Sequence, residues 1–234
     1  MTMRRIVVVG NGIAGLTACD SLRSAGFDGE LTVAGAERHH PYSRPALSKA
    51  LLHGDDDRQA HELPQPTHEA TELLGISATG LDVDARLVRL EWGGELPYDG
   101  LVIASGSRAK RLPWEEGAAP SGELTLRTIE DAVLLKERVA SRPSVIIIGG
   151  GPLGMKVASG CLHVGCEVTL VSDVTPLSRQ RGGHLADIFT STAIQRGLRV
   201  VTREGPHHGF RRRPADCPGR RHHADGGPRG YGHW

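Results

Sequence analysis

Two glycine-rich turns have the residue types and spacing that bind the diphosphate of a dinucleotide. The spacing G-x-G-x-x-G occurs twice, at Gly10, Gly12 and Gly15 and at Gly149, Gly151 and Gly154. The first glycine of such a turn allows a tight bend, the second lets a pyrophosphate approach the backbone, and the third lets the helix pack closely on the strand. Unpaired N–H groups and the helix dipole then favour an anion at the helix start. The sequence therefore predicts two nucleotide sites.

An acidic residue follows each turn at the end of the next apolar run. Glu37 comes three places after residues 30–34, and Asp173 comes two places after residues 168–171 and is preceded by Ser172. A carboxylate in this position accepts hydrogen bonds from ribose hydroxyls. A 2'-phosphate would need basic residues close by, and the nearest arginine, Arg179, lies past a proline. The second site is therefore expected to favour NADH over NADPH.

The elements around the turns repeat one plan. The β-branched runs 6–9 and 145–148 show no polar alternation and predict strands buried on both faces, as does the run 101–104. Helix 13–25 and strand 30–34 complete the first βαβ unit, and a helix and strand 168–171 complete the second. The remaining predicted elements are helix 47–52, strand 83–91, strand 100–104, helix 129–140, helix 185–195 and strand 198–202. This order predicts an α/β fold with two Rossmann-like domains.

Composition limits the organisation of the chain. Its 234 residues fit two modest domains, and the predicted boundaries are 1–111 for the first, 112–202 for the second and 203–234 for a tail. The tail is rich in Arg, Gly, Pro and His, so we expect it to be disordered. Its arginines, histidines and Cys217 could bind RNA or a metal, but a frameshift or an abrupt truncation near residue 203 explains them better.

Charge, hydropathy and cysteine spacing exclude several classes of protein. The net charge of +1 disfavours a general nucleic-acid binder, and no run approaches the ~18 apolar residues of a membrane span. The four cysteines form no C-x-x-C pair, so neither a zinc site nor a disulphide framework is predicted. The apolar run before Gly10 has only four residues, 6–9, so we expect no signal peptide and a cytoplasmic location.

Three further segments carry a family resemblance. Residues 41–49 read P-Y-S-R-P-A-L-S-K, residues 98–106 read Y-D-G-L-V-I-A-S-G, and residues 126–132 read L-R-T-I-E-D-A. With the two glycine turns, they resemble the FAD- and NAD(P)-dependent pyridine nucleotide-disulphide oxidoreductases. Within that superfamily they are similar to the ferredoxin reductase branch, which serves cytochrome P450 and Rieske dioxygenase systems. The resemblance runs from about residue 4 to residue 202.

The resemblance implies a set of ligand contacts. For FAD the implied contacts are Gly10, Gly12, Ala14, Gly15, Glu37, Arg44, Lys49, Ala78, Ala104 and Arg127. For the nicotinamide coenzyme they are Gly149, Gly151, Leu153, Gly154, Ser172 and Asp173. Individually, Arg44 and Arg127 could be surface arginines, and Lys49 could be an ordinary helix lysine.

The resemblance also implies an activity. Hydride would pass from NADH to the flavin, and single electrons would then pass to a ferredoxin-type iron-sulfur partner. The flavin supplies that chemistry, so no side-chain acid or base is required. The alternative is an inactive remnant or a nucleotide-binding module without turnover. The sequence leaves the oligomeric state open.

Two departures from the family bear on activity. Lys156 stands where relatives usually have a glutamate, which typically faces the family lysine matched here by Lys49, so both lysines are assigned to the catalytic region. Two cations about 5 Å apart repel by roughly 3 kcal/mol at an effective dielectric near 20. Lys156→Glu should therefore raise the rate of NADH-dependent flavin reduction, and an unchanged or lower rate would count against this assignment.

The second departure is length. In the family the chain returns to complete the FAD domain and then adds a C-terminal domain. We therefore expect the purified chain to contain little bound flavin, and a stoichiometric yellow protein would refute that expectation.

Overall fold

The computed structural model describes residues 3–48, 63, 66–113, 122–203 and 205–206. The first part of the chain is mixed α/β. Its elements are β1 (Arg5–Val9), α1 (Ile13–Ser24), β2 (Glu30–Gly35), α2 (Arg44–Leu47), β3 (Thr71–Leu74), β4 (Ala78–Asp82), β5 (Leu87–Leu90), β6 (Glu95–Pro97) and β7 (Gly100–Ile103). Helix α2 begins before the predicted helix 47–52, and residues 49–52 lie outside the described residues.

A parallel sheet in the order β3-β2-β1-β7 forms the centre of this part. On one face, Cys19 of α1 packs with Ile6 and Val8 of β1. On the other face, Val88 of the antiparallel sheet β4-β5-β6 packs against Val7. Strand β1 is therefore buried on both faces, which confirms the prediction made from its apolar run.

The predicted single strand 83–91 is wrong. Residues 83–86 form the turn of a hairpin between β4 and β5, and the strand resumes at Leu87. The Ala85 N–H donates to Asp82 Oδ1 at 2.9 Å, and Arg86 has a φ of 53°. Asp82 thus stabilises a local turn that competes with the β-propensity of Val83.

The second part of the chain repeats the α/β plan. Its elements are α3 (Ile129–Val139), β8 (Ser144–Ile148), α4 (Pro152–His163), β9 (Glu167–Ser172), α5 (Ser178–Gln195), β10 (Arg199–Thr202) and β11 (Gly205–Pro206). Strands β8, β9 and β10 are parallel, and β11 pairs antiparallel with β10. Helix α5 is longer than predicted and contains a kink at Gly182. The prediction of two Rossmann-like parallel sheets is confirmed, whereas the domain boundaries at residues 111 and 202 remain predictions.

The core of the second part lies on one face of its sheet. Leu135 and Val139 of α3 and Cys161 of α4 pack against Leu170 of β9. The side chains of β8 alternate in exposure instead of being uniformly buried, and Ile146 is 70% exposed.

Full burial was therefore a wrong prediction for residues 101–104 and 145–148. Ile148 of β8 is 59% exposed, and Ile103 of β7 is 66% exposed. Both strands lie at an outer edge of a described sheet. An apolar run predicts the strand itself, but its burial depends on neighbours that the run does not encode.

Candidate nucleotide-binding sites

The first glycine turn joins β1 to α1 at the carboxyl end of the first sheet. Gly10 has a φ of 112°, and its N–H donates to the Ala34 carbonyl at 2.7 Å. A β-carbon at Gly10 would overlap the carbonyl oxygen of Ala104, which follows β7. The turn is therefore held between β2 and the end of β7, and Ala104 lies directly against Gly10.

The other two glycines of this turn have opposite environments. A β-carbon at Gly15 would overlap the Gly10 carbonyl oxygen, so Gly15 permits the close approach of helix and strand. At Gly12 no atom lies within 4 Å of the β-carbon position. Gly12 precedes α1, and no side chain caps the helix there. The first-turn N–H groups of α1, where Ala14 lies, are therefore available to an anion approaching over Gly12.

The second glycine turn repeats this geometry between β8 and α4. Gly149 has a φ of 117°, and its N–H donates to the Val171 carbonyl at 2.8 Å. A β-carbon at Gly154 would overlap the Gly149 carbonyl oxygen, whereas the β-carbon position of Gly151 is open. No side chain caps α4, and Leu153 in its first turn is half-exposed.

A cavity of about 820 Å³ borders the second turn. It runs along β8 past Ile146 and Ile148 and includes Gly149, Gly151 and Leu153 in its lining. This volume lies within the usual range of ligand pockets.

Glu37, Arg44 and Arg127, three of the predicted FAD contacts, are linked by hydrogen bonds through Arg44. The Arg44 guanidinium donates to Glu37 Oε1 and, at 2.6 Å, to the Arg127 carbonyl. Arg127 Nε donates to the Ser107 carbonyl at 2.9 Å. The Tyr42 hydroxyl also belongs to this network, because it donates to Glu37 Oε2 at 2.5 Å. Tyr42 was not predicted as a site residue.

A second polar contact fixes the first turn from the side of β3. Asn11 Nδ2 donates to Glu72 Oε2 at 2.9 Å, and His40 Nδ1 lies 3.2 Å from the same oxygen. Asn11 and Glu72 were not predicted as a pair, because their contact requires β3 to pair beside β2. No local pattern encodes that pairing.

At the second site Arg179 lies closer to the acid than the sequence suggested. Leu177 adopts a left-handed conformation with a φ of 67°, and its N–H donates to the Gly150 carbonyl at 2.8 Å. The chain turns back at this point, and Arg179 NH2 donates to Asp173 Oδ2 at 2.5 Å. This hydrogen bond holds the pKa of Asp173 below its usual value. A β-carbon at Gly150 would overlap Ser172 Oγ, so Ser172 lies beside the turn.

Comparison with known proteins decides the family. Residues 4–214 match the pyridine nucleotide-disulphide oxidoreductase family. The chain belongs to this family.

Individual relatives narrow the resemblance to ferredoxin reductases. The chain is 34% identical over 203 residues to the benzene 1,2-dioxygenase system ferredoxin--NAD(+) reductase subunit of Pseudomonas putida, covering 83% of this chain and 49% of the relative. It is 36% identical over 200 residues to rhodocoxin reductase of Rhodococcus erythropolis, and the match covers 83% of this chain and 47% of that relative. A solved structure of a ferredoxin reductase from Rhodopseudomonas palustris is 28% identical, with a TM-score of 0.78. The match covers 85% of this chain and 50% of that protein. The chain thus spans about half the length of these relatives.

In this pyridine nucleotide-disulphide oxidoreductase the described cysteines are core residues. Cys19, Cys161 and Cys166 are free thiols with buried side chains. Burial raises the pKa of Cys19 and that of Cys161 to about 11. A neutral, enclosed thiol is a poor nucleophile, so these three residues pack the core.

The two lysines assigned to the catalytic region differ in what the structure shows. Lys49 lies outside the described residues. Lys156 lies on α4 and lines a groove of about 340 Å³ against α5, together with Arg181 and Arg196. The distance between the two lysines therefore stays a prediction.

The remaining predictions concern Ala78, metal binding and membrane spans. Ala78 lies at the start of β4 and packs with Val7 and Val88 beneath the first sheet. Among the described residues, no cluster of His, Cys, Asp and Glu could hold a metal ion. No helix in the described ranges has both the length and the hydropathy to cross a bilayer.

Proposed function

We propose that this protein is an FAD-dependent NADH:ferredoxin oxidoreductase. The first glycine turn holds the FAD diphosphate and the second holds that of NADH. The observation that carries the proposal is the pair of uncapped helix starts, each open at its middle glycine, Gly12 or Gly151. Two relatives that match over more than four fifths of this chain are named as ferredoxin--NAD(+) reductases of dioxygenase systems, which supports the assignment.

The residues present at the first turn fit FAD. The N–H groups of α1 suit its diphosphate, and the Glu37 carboxylate suits its ribose hydroxyls. Arg44 adds positive charge beside Glu37 and is held in place by the Arg127 carbonyl. When bound, the flavin supplies hydride acceptance and single-electron release. The protein side chains bind and orient the cofactor, and this role requires no titrating acid or base.

The residues present at the second turn favour NADH. The Asp173 carboxylate accepts hydrogen bonds from ribose hydroxyls and repels a 2'-phosphate. Arg179 offsets part of that repulsion, because it pairs with Asp173. We therefore propose a preference for NADH that depends on the charge of Asp173.

The electron acceptor is proposed to be a ferredoxin-type iron-sulfur protein that serves a dioxygenase or a cytochrome P450. The names of the relatives support a ferredoxin acceptor and a dioxygenase system. A cytoplasmic location fits the free thiols of Cys19, Cys161 and Cys166, because reducing compartments keep thiols unpaired.

Anaerobic absorption spectroscopy tests the proposal. The chain is incubated with FAD, separated from unbound flavin and titrated with NADH, and an oxidised ferredoxin is then added. The proposal predicts a flavin band that NADH bleaches and that the ferredoxin restores. A flavin band that NADH leaves unchanged would show nucleotide binding without turnover, which is the alternative function.

A further inference from the structure

The Glu37 carboxylate has two anchors and spare acceptor capacity. An ionised carboxylate offers about four acceptor positions. Arg44 donates to Oε1, and the Tyr42 hydroxyl donates to Oε2. About two positions therefore remain, which equals the number of hydroxyls on an adenosine ribose.

We propose that Tyr42 is a positioning residue that orients the Glu37 carboxylate toward the two adenosine ribose hydroxyls of the bound dinucleotide. This inference rests on the proposed function, because it requires FAD at the first turn. It assigns Tyr42 a role in selecting a flavin dinucleotide over a flavin mononucleotide, which lacks that ribose.

Packing fixes the Tyr42 hydroxyl before any ligand binds. Tyr42 is 8% exposed and forms a buried cluster with Leu47 of α2 and Ala132 of α3. The Arg44 guanidinium lies over the Tyr42 ring, 5.2 Å from its centre. Burial and the hydrogen bond to Glu37 both raise the pKa of Tyr42, so the hydroxyl keeps its proton and donates it to the carboxylate.

Arg44 alone would not set the plane of the carboxylate. The last side-chain torsion of a glutamate is broad, so a carboxylate anchored through one oxygen can still rotate. Arg44 is itself tied to the Arg127 carbonyl and holds only Oε1. The Tyr42 hydroxyl holds Oε2, and the two anchors together restrict the rotation.

Binding measurements with three flavins test this role. The probes are FAD, an FAD analogue carrying 2'-deoxyadenosine, and FMN, each titrated into the wild-type chain, Tyr42→Phe, Glu37→Ala and the double variant. Tyr98→Phe is the matched control, because Tyr98 packs with Val88 beneath the first sheet, away from Glu37. Thermal unfolding of each variant verifies that it is folded.

Tyr42→Phe should weaken FAD binding about tenfold, as expected for loss of a hydrogen bond to a charged group, and leave FMN binding unchanged. In the wild-type chain the 2'-deoxy analogue should bind more weakly than FAD, and this difference in affinity should be smaller in Tyr42→Phe. In the Glu37→Ala background, Tyr42→Phe should cause no further loss of FAD affinity. Equal weakening of FAD, its analogue and FMN would overturn the positioning role, as would wild-type FAD affinity in Tyr42→Phe. Failure of the wild-type chain to bind FAD would instead overturn the proposed function, and this inference with it.

Discussion

Gly12 and Gly15 lie three positions apart in one turn, yet a methyl group would have opposite consequences at the two sites. At Gly15 it would meet a backbone carbonyl oxygen that cannot move without breaking the turn. At Gly12 it would enter open space. One glycine is thus required by the fold, and the other leaves open space before the helix.

Gly15→Ala should lower the free energy of unfolding by roughly 2 to 4 kcal/mol, because the overlap forces α1 away from β1. Gly12→Ala should lower the free energy of unfolding by less than about 1 kcal/mol, because the only cost is that alanine is a poorer N-cap residue than glycine. Urea denaturation followed by circular dichroism measures both. Equal losses in the two variants would contradict the separation of structural and ligand-facing glycines.

Asp173 is the residue proposed to determine coenzyme choice. Asp173→Asn removes the charge that repels a 2'-phosphate and leaves Arg179 without its carboxylate partner. The ratio of kcat/KM for NADH to that for NADPH should fall about tenfold, or about 1.4 kcal/mol in relative transition-state binding. Asp187→Asn, at an exposed position of α5, is the control. An unchanged ratio in Asp173→Asn would assign the preference to another residue.

Among the helices, α3 connects the two parts of the chain. Its N-terminus has a capping box in which the Asp131 N–H donates to Thr128 Oγ1 at 3.2 Å and the Thr128 N–H donates to Asp131 Oδ2 at 3.1 Å. Glu130 of this helix lies 2.6 Å from His39 Nε2, and Ala132 packs on Tyr42. The start of α3 therefore supports the first nucleotide site.

Thr128→Ala should cost about 1 kcal/mol of unfolding free energy, which is typical for loss of an N-cap side chain. Thr128→Ser retains the hydroxyl and should recover most of that energy. Chemical denaturation of the three proteins provides the measurement. A Thr128→Ala variant as stable as Thr128→Ser would show that the capping box contributes little.

Some elements could be predicted from sequence because their signals are local. The strand and helix beside Gly10 follow from a buried apolar run, a glycine spacing and a helical period, all within about twenty residues. The hairpin at residues 83–86 was missed because Asp82 outweighs the β-propensity of Val83. The contacts of Tyr42 with Glu37 and of Asn11 with Glu72 depend on loop and strand placement, for which the sequence has no short-range signal.

At the scale of the whole molecule, two similar glycine turns lie in two similar parallel sheets, but the atoms that surround the two turns differ. At Gly10 the end of β7 approaches the turn, whereas no atom lies within 4 Å of the β-carbon position of Gly149. Strand β8 is an edge strand in the described sheet, with Ile146 and Ile148 exposed on one face. The two units therefore share the strand–turn–helix order predicted from sequence, but their strands differ in how deeply they are buried.

We propose that each glycine turn binds its own nucleotide, with FAD at the first and NADH at the second. Gly12→Ala and Gly151→Ala test this claim most directly, because both positions are open and each variant blocks one helix start. The measurement is the anaerobic flavin spectrum of each variant after addition of FAD and then NADH. We predict that Gly12→Ala fails to retain FAD, whereas Gly151→Ala retains FAD that NADH bleaches at least tenfold less effectively than in the wild type. Retention of FAD by Gly12→Ala, or wild-type bleaching in Gly151→Ala, would contradict the assignment.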